Sequence, residues 1–250
     1  MIAFRNLALP ALHLLLATGF LSLAIWSGRW ALADFFTFPL EVAEAQMRNP
    51  EVTPELREQL WQRMMEHLTR ATSLNPGNAD LCLHLGRLQY THGLPNWEKD
   101  PEKQQAHLQA AVDYYERATV LRPTWGYSWV NLAQARIRLG REHWSQAAQD
   151  LERAMVFAPQ EPGVQGGLLP LGFRIWPILD DRIRGDLLSV AHREAEKNPE
   201  QAKRVLTLVR RHDLGAEFLP RISGNPTLLR LFRKHVGPLQ RFGSAGGDGT

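Results

Sequence analysis

Three segments of this chain share one residue spacing, and that spacing leaves few folds open. Met64, Leu68 and Ala71 precede Pro76, Ala111, Tyr115 and Ala118 precede Pro123, and Ala147, Leu151 and Ala154 precede Pro159. The steps are four, three and five residues in all three. Steps of four and three set side chains on one face of a helix. The proline then stops that helix and aims the chain into the next. The stretches after the first two prolines also match: Cys82 or Trp129 six residues on, Leu85 or Leu132 nine on, Gly86 or Ala133 ten on. A helix–turn–helix unit therefore recurs. Its small residues (Gly86, Ala111, Ala118, Ala133, Ala147, Ala154) allow paired helices to approach closely, and its large ones fill the space between pairs.

The other periodic segments are helix-like too. Leu56, Leu60, Met64, Leu68 and Ala71 form one apolar stripe behind Thr53-Pro54, a capping residue followed by proline at the first helical position. No segment through Ala158 alternates in the manner of a strand. Gly93–Lys103, with two prolines, reads as a loop. Beyond Pro162 the pattern predicts helices over Leu168–Trp176, Asp180–Lys197, Pro199–His212 and Thr227–His235, with Asn198-Pro199 and Asn225-Pro226 as breaks.

The repeat resembles the tetratricopeptide repeat, a helical hairpin of roughly 34 residues. Trp129-x-x-Leu132-Ala133 matches its first helix, and Ala147-x₃-Leu151-x₂-Ala154-x₄-Pro159 its second. Pro76 and Pro123 are 47 residues apart, so this unit carries about 13 extra, which fit the Gly93–Lys103 loop. The resemblance implies an all-α fold: a short tetratricopeptide-like helical-hairpin solenoid over residues 54–160, capped by C-terminal helices over 161–236. Residues 237–250, with the glycine-rich GSAGGDGT end, have nothing to bury and read as a disordered tail.

The N-terminus reads as a membrane anchor over residues 1–30, followed by a juxtamembrane linker or helix over 31–53. Leu7 to Trp26 carries no formal charge over 20 residues, enough to cross the hydrocarbon core as a helix. Arg5 and Arg29 flank it, and Trp26 and Trp30 suit an interface. Ser22-Leu23-Ala24 also fits a signal-peptidase site. The apolar run continues through that triplet, which favours a retained anchor. The amino terminus and Arg5 tip the orientation towards N-terminus inside, with the bulk of the chain outside the inner membrane.

Charge excludes little. Residues 170–250 hold 14 Lys/Arg against 9 Asp/Glu, and residues 1–169 hold 15 against 17. A solvated helical surface accounts for the mildly basic C-terminal third, and nucleic acid is not an expected partner. Cys82, the single cysteine, falls at a helix-packing position and reads as a small hydrophobe. The nine histidines show no metal-binding spacing: His84 and His92 are eight apart, and no HExxH or HxxxH occurs. Gly163-Val164-Gln165-Gly166-Gly167 lacks the strand and the lysine of a phosphate loop, and no G-x-S-x-G occurs. An enzyme reading would need a set such as His192, Glu194 and Asp186. The sequence points to no catalytic residue, cofactor or metal.

In tetratricopeptide proteins the first helix of each unit lines a concave groove. Carrying that register over gives Asp80, Leu83, Arg87, Tyr90 and Thr91 from one unit. It gives Tyr127, Val130, Gln134, Ile137 and Arg138 from the next. Arg87 and Arg138 fall on one face and could hold a carboxylate. Trp129 is a packing residue, whereas Trp125 lies at the groove mouth beside Arg122. The partner-binding residues expected are Asp80, Arg87, Tyr90, Trp125, Tyr127, Gln134 and Arg138.

The anchor, the LNPGNADLCLHLGRLQY block and the ATVLRPTWGYSWVNLA block together resemble the membrane-anchored VpsP-type polysaccharide biosynthesis family. The resemblance implies a non-catalytic scaffold beside bacterial exopolysaccharide polymerase, chain-length or export machinery. Its partners would be other proteins of that machinery. The alternative is a scaffold or chaperone for another inner-membrane assembly, such as cytochrome maturation or secretion.

Overall fold

A computed structural model describes residues 2–37, 40–49 and 51–238. Twelve α-helices run through them: α1 (Ile2–Thr37), α2 (Leu40–Arg48), α3 (Pro54–Leu74), α4 (Ala79–His92), α5 (Pro101–Leu121), α6 (Gly126–Leu139), α7 (Trp144–Phe157), α8 (Pro162–Arg174), α9 (Asp181–Lys197), α10 (Pro199–Arg211), α11 (Gly215–Ile222) and α12 (Pro226–His235). Short 3₁₀ turns precede α7 and α9, and the described residues contain no strand. Most of the tail expected to be disordered, residues 239–250, lies outside the described residues.

Helix α1 has 36 residues, about 54 Å at 1.5 Å per residue. A bilayer core needs only about 30 Å. The excess is accounted for at the C-terminal end. Leu14, Leu15 and Phe20 are among many exposed apolar side chains, but Ala33 is buried against the body. Arg29 Nη2 donates to the Ser73 carbonyl at 3.3 Å, and the Phe36 ring meets His67 edge-on at 5.7 Å. The helix is long and apolar enough to cross a membrane. It continues past Trp30 into the stretch read as a juxtamembrane linker or helix, reaches Thr37 and packs there on α3.

Three turns built alike set the rest of the body. Asn75, Arg122 and Ala158 each follow a helix with similar backbone angles: φ −131, −142 and −141°, ψ 73, 73 and 59°. Each donates its N–H to the alanine four residues earlier (Ala71, Ala118, Ala154), and each accepts an N–H from three residues later. A side chain then staples each turn through the proline carbonyl. Trp129 Nε1 donates to Pro123 O at 2.7 Å, and Gln165 Nε2 donates to Pro159 O at 2.7 Å. Cys82 has no comparable donor, and Arg117 Nη2 serves Pro76 O at 3.2 Å. Gln165 stands six residues past its proline, as Trp129 does. A third unit therefore begins at α8, at a position where the sequence comparison finds no tryptophan.

The small residues sit where helices nearly touch. Ala71, Ala111, Ala118, Ala133, Ala147 and Ala154 are fully buried, with Leu85, Leu132, Tyr115 and Leu151 between them. At Gly86 a Cβ would lie 2.5 Å from the Tyr115 ring. Helices α4 and α5, α5 and α6, and α6 and α7 pack most extensively, and α4, α6 and α8 lie side by side. On α3 the stripe Leu60, Met64, Leu68 and Ala71 is buried, whereas Leu56 remains exposed.

The C-terminal region differs in two places from the sequence reading. Helix α8 starts at Pro162, not Leu168, because its glycines are packing residues rather than loop residues. Gly167 lies against Val130, and Gly172 against Leu187. Helix α11 was not anticipated. It is two turns long and contains Pro220, yet it buries Phe218 and Ile222 completely. Burial of those two side chains holds a segment whose propensity is poor.

One carboxylate is completely enclosed by the body. Asp150 on α7 is fully buried. Its Oδ2 accepts from Arg136 at 2.6 Å, and Arg136 also pairs with Glu116. Asp150 Oδ1 has no hydrogen bond. Burial pushes the Asp150 carboxyl up to about 6, outweighing the opposing attraction of Arg136. Its folded-state value is therefore above the unfolded one. The stability it confers is present below about pH 4 and is lost as pH rises through about 6.

Two predictions follow from this packing. Gly86→Val should lower stability by about 1–3 kcal/mol by driving a side chain into Tyr115, while Gly166→Ala, where a Cβ meets nothing, should be neutral or stabilising by up to about 1 kcal/mol; thermal unfolding by circular dichroism reads both. Asp150→Asn should gain stability relative to the parent chain between pH 4 and 6, by up to about 3 kcal/mol, measured by denaturant titration at each pH.

Candidate functional site: a groove along α4, α6 and α8

The groove residues expected from the sequence divide into two clusters and one occupied position. At one end, Arg122 joins three of them. Its guanidinium lies 4.8 Å from the centre of the Trp125 ring and 3.8 Å from Asp80. Trp125 and Tyr127 have ring centres 6.0 Å apart. Trp125 occupies the N-cap of α6, where it offers no side-chain cap and leaves its indole half-exposed. Tyr127 is half-buried, with its ring beside Gly163. This end is a solvent-accessible aromatic pair with a guanidinium stacked on it, a surface able to take a planar or cationic group.

At the other end, Tyr90 from α4 lies against the Gln134 side chain and within the fields of Arg138 and Arg174. Burial raises the Tyr90 hydroxyl above its ordinary value, opposed by Arg138, by the Gln134 hydrogen bond and by Arg174. The phenol therefore stays neutral, in the positive field of Arg138 and Arg174. Arg138 makes no ion pair among the described residues. Helices α4, α6 and α8 each contribute a residue, and the chemistry suits a carboxylate or another anion. The sequence reading missed Arg174. A signal for it exists: it stands fifteen residues past Pro159, as Arg138 stands fifteen past Pro123.

Arg87 is already paired. Its Nη2 lies 2.6 Å from Glu44 Oε2 on α2, and Glu44 Oε1 is 3.6 Å from His84 Nδ1. The expectation that Arg87 and Arg138 together hold a partner's carboxylate is corrected on this point. Arg87 holds a carboxylate, but the chain supplies it. Helix α2 lies over this end of the first unit, with Met47 buried beside Arg87, Thr91 and Trp97 around a cavity of about 240 Å³.

The residues an enzyme reading would need are not brought together. His192 pairs with Glu196 at 3.4 Å, Glu194 with Lys197, and Asp186 with Arg182 at 3.8 Å. Cys82 is fully buried, and burial raises its thiol above the ordinary value, with Arg117 opposing. Trp129 is buried, with Arg153 4.6 Å above its ring. The chain matches no family model and no curated protein sequence.

Arg87→Ala should remove the 2.6 Å ion pair that ties α2 to α4 and loosen α2 by about 1 kcal/mol. Hydrogen exchange across residues 40–48 should then be roughly fivefold faster, while Arg138→Ala leaves it unchanged.

Proposed function

We propose that this chain is a single-pass membrane scaffold whose helical hairpins form a tetratricopeptide-like solenoid, serving bacterial exopolysaccharide assembly or export through protein–protein contacts. The observation that carries this reading is the set of three turns built alike at Pro76, Pro123 and Pro159. Identical turns give successive first helices the same direction, and a stack of that kind presents one face to a protein partner. The free end of the groove, Tyr90 with Gln134, Arg138 and Arg174, supports an acidic partner segment. Helix α1 supports attachment to a membrane, with its last two turns fixed to α3 so that anchor and groove move together. The two sequence blocks that resemble the VpsP type support the polysaccharide context, with the groove domain on the periplasmic side of the inner membrane.

Deletion of the gene should reduce polymer export or yield while leaving precursor synthesis intact, and complementation with Arg138→Ala/Arg174→Ala should restore polymer only partly. Normal polymer in the deletion strain would exclude the proposal. A C-terminal alkaline phosphatase fusion should be active; an inactive fusion would place the groove in the cytoplasm.

A further inference from the structure

The insertion that lengthens the first hairpin gathers three side chains of metal-binding type, none of them among the residues of the α4, α6 and α8 face. His92 is the last residue of α4, Glu98 lies in the following loop, and His107 lies on α5. One ligand atom from each falls within 4.8 Å of the others. The two imidazole ring centres are 4.3 Å apart. His107 is held below its ordinary value, first by burial and then by His92.

Each side chain is held by a second partner that leaves one donor atom available. His92 is more than nine-tenths buried; its Nε2 lies 2.8 Å from Glu58 Oε2 on α3, and its Nδ1 is buried with no hydrogen bond. His107 Nδ1 lies 2.7 Å from Gln89 Oε1. Glu98 Oε1 accepts the N–H groups of Lys99 and Asp100 at 2.8 and 2.9 Å, which leaves Oε2 uncommitted. Those bonds keep the Glu98 carboxyl below its ordinary range, the Asp100 N–H contributing most. The loop is pinned in turn by Gln104 Nε2 on the Glu98 carbonyl at 2.8 Å. Trp61 stands 4.2 Å from the His92 ring and 5.6 Å from His107, and Trp97 stands 6.1 Å from His92. Indole walls lower the local dielectric and favour charge neutralisation by ligands of opposite sign.

We propose that His92, His107 and Glu98 bind one divalent transition-metal ion of the zinc class, with Glu58 and Gln89 orienting the two imidazoles. Two imidazoles and a carboxylate are a donor set for such an ion, and a hydrogen-bond acceptor on the far nitrogen of each histidine is the usual outer shell. Ligand atoms around a tetrahedral ion stand about 3.3 Å apart, so the three side chains close by at most about 1.5 Å relative to the 4.8 Å limit. The ion would tie the loop to both helices of the first hairpin and, through Glu58, to α3. The histidine spacing in sequence hid this site: His92 and His107 are fifteen residues apart on two different helices, and only the hairpin brings them together.

The test uses the full chain in detergent micelles, freed of metal by chelator. Zn²⁺ titrated by calorimetry should bind with one equivalent at micromolar affinity or tighter, and Co²⁺ should give visible absorption of a four- or five-coordinate site. His107→Ala should weaken Zn²⁺ binding at least a hundredfold, and Glu98→Gln at least tenfold. Gln89→Ala, which alters only the outer shell, should weaken it about tenfold. Glu98→Gln decides the matter if the histidine variant fails to fold by circular dichroism. Absence of binding by the parent chain below millimolar Zn²⁺ would overturn the proposal, as would unchanged affinity in Glu98→Gln and Gln89→Ala.

Discussion

The contact between Gly86 and the Tyr115 ring is the closest expression of the constraint on which the body depends. Helices α4 and α5 approach so nearly that a single added carbon would stand 2.5 Å from the tyrosine. The same need for small residues recurs at Ala111, Ala118, Ala133, Ala147 and Ala154, all fully buried. Close approach brings many atoms into contact at each interface, and dispersion and apolar burial both grow with that contact. It also fixes the angle between paired helices. The turns at Pro76, Pro123 and Pro159 repeat one geometry, and α4, α6 and α8 lie side by side.

The placement of charge follows from that row. Side chains on one face of it are separated by helix spacing rather than by sequence, so Tyr90 lies within the fields of Arg138 and of Arg174, 84 residues further along the chain. Glu44 reaches Arg87 because α2 folds back over α3 and α4, filling one end of the face and leaving the other available. The buried Asp150 belongs to the same architecture. It ties α7 to α6 through Arg136, at the cost of a carboxyl desolvated enough to titrate near pH 6.

Each departure from the sequence reading has a packing cause. The glycines of α8 look like a loop in isolation, yet Gly167 and Gly172 are where α6 and α9 approach. Helix α11 carries Gly215 and Pro220 and shows little local preference, but Phe218 and Ile222 fill the space beneath it. The turn at Pro159 is legible in the sequence, but the donor that follows it is not, because Gln165 stands where the preceding unit has tryptophan while keeping what matters, an N–H within reach of the proline carbonyl.

The sequence by itself determined the helical class, the apolar N-terminal helix and the register of the repeat, because spacings of three and four, proline stops and unbroken apolar runs act locally. It also placed Tyr90, Gln134 and Arg138 on one face. What only the tertiary structure decided is which of those groups remain available. Arg87 is taken by a carboxylate from a helix 43 residues upstream, Arg174 arrives from the next hairpin, and His92 and His107 converge through the insertion. Those outcomes depend on how far apart helices stand once packed, and helix spacing is set by contacts across the fold rather than by any one segment of the chain.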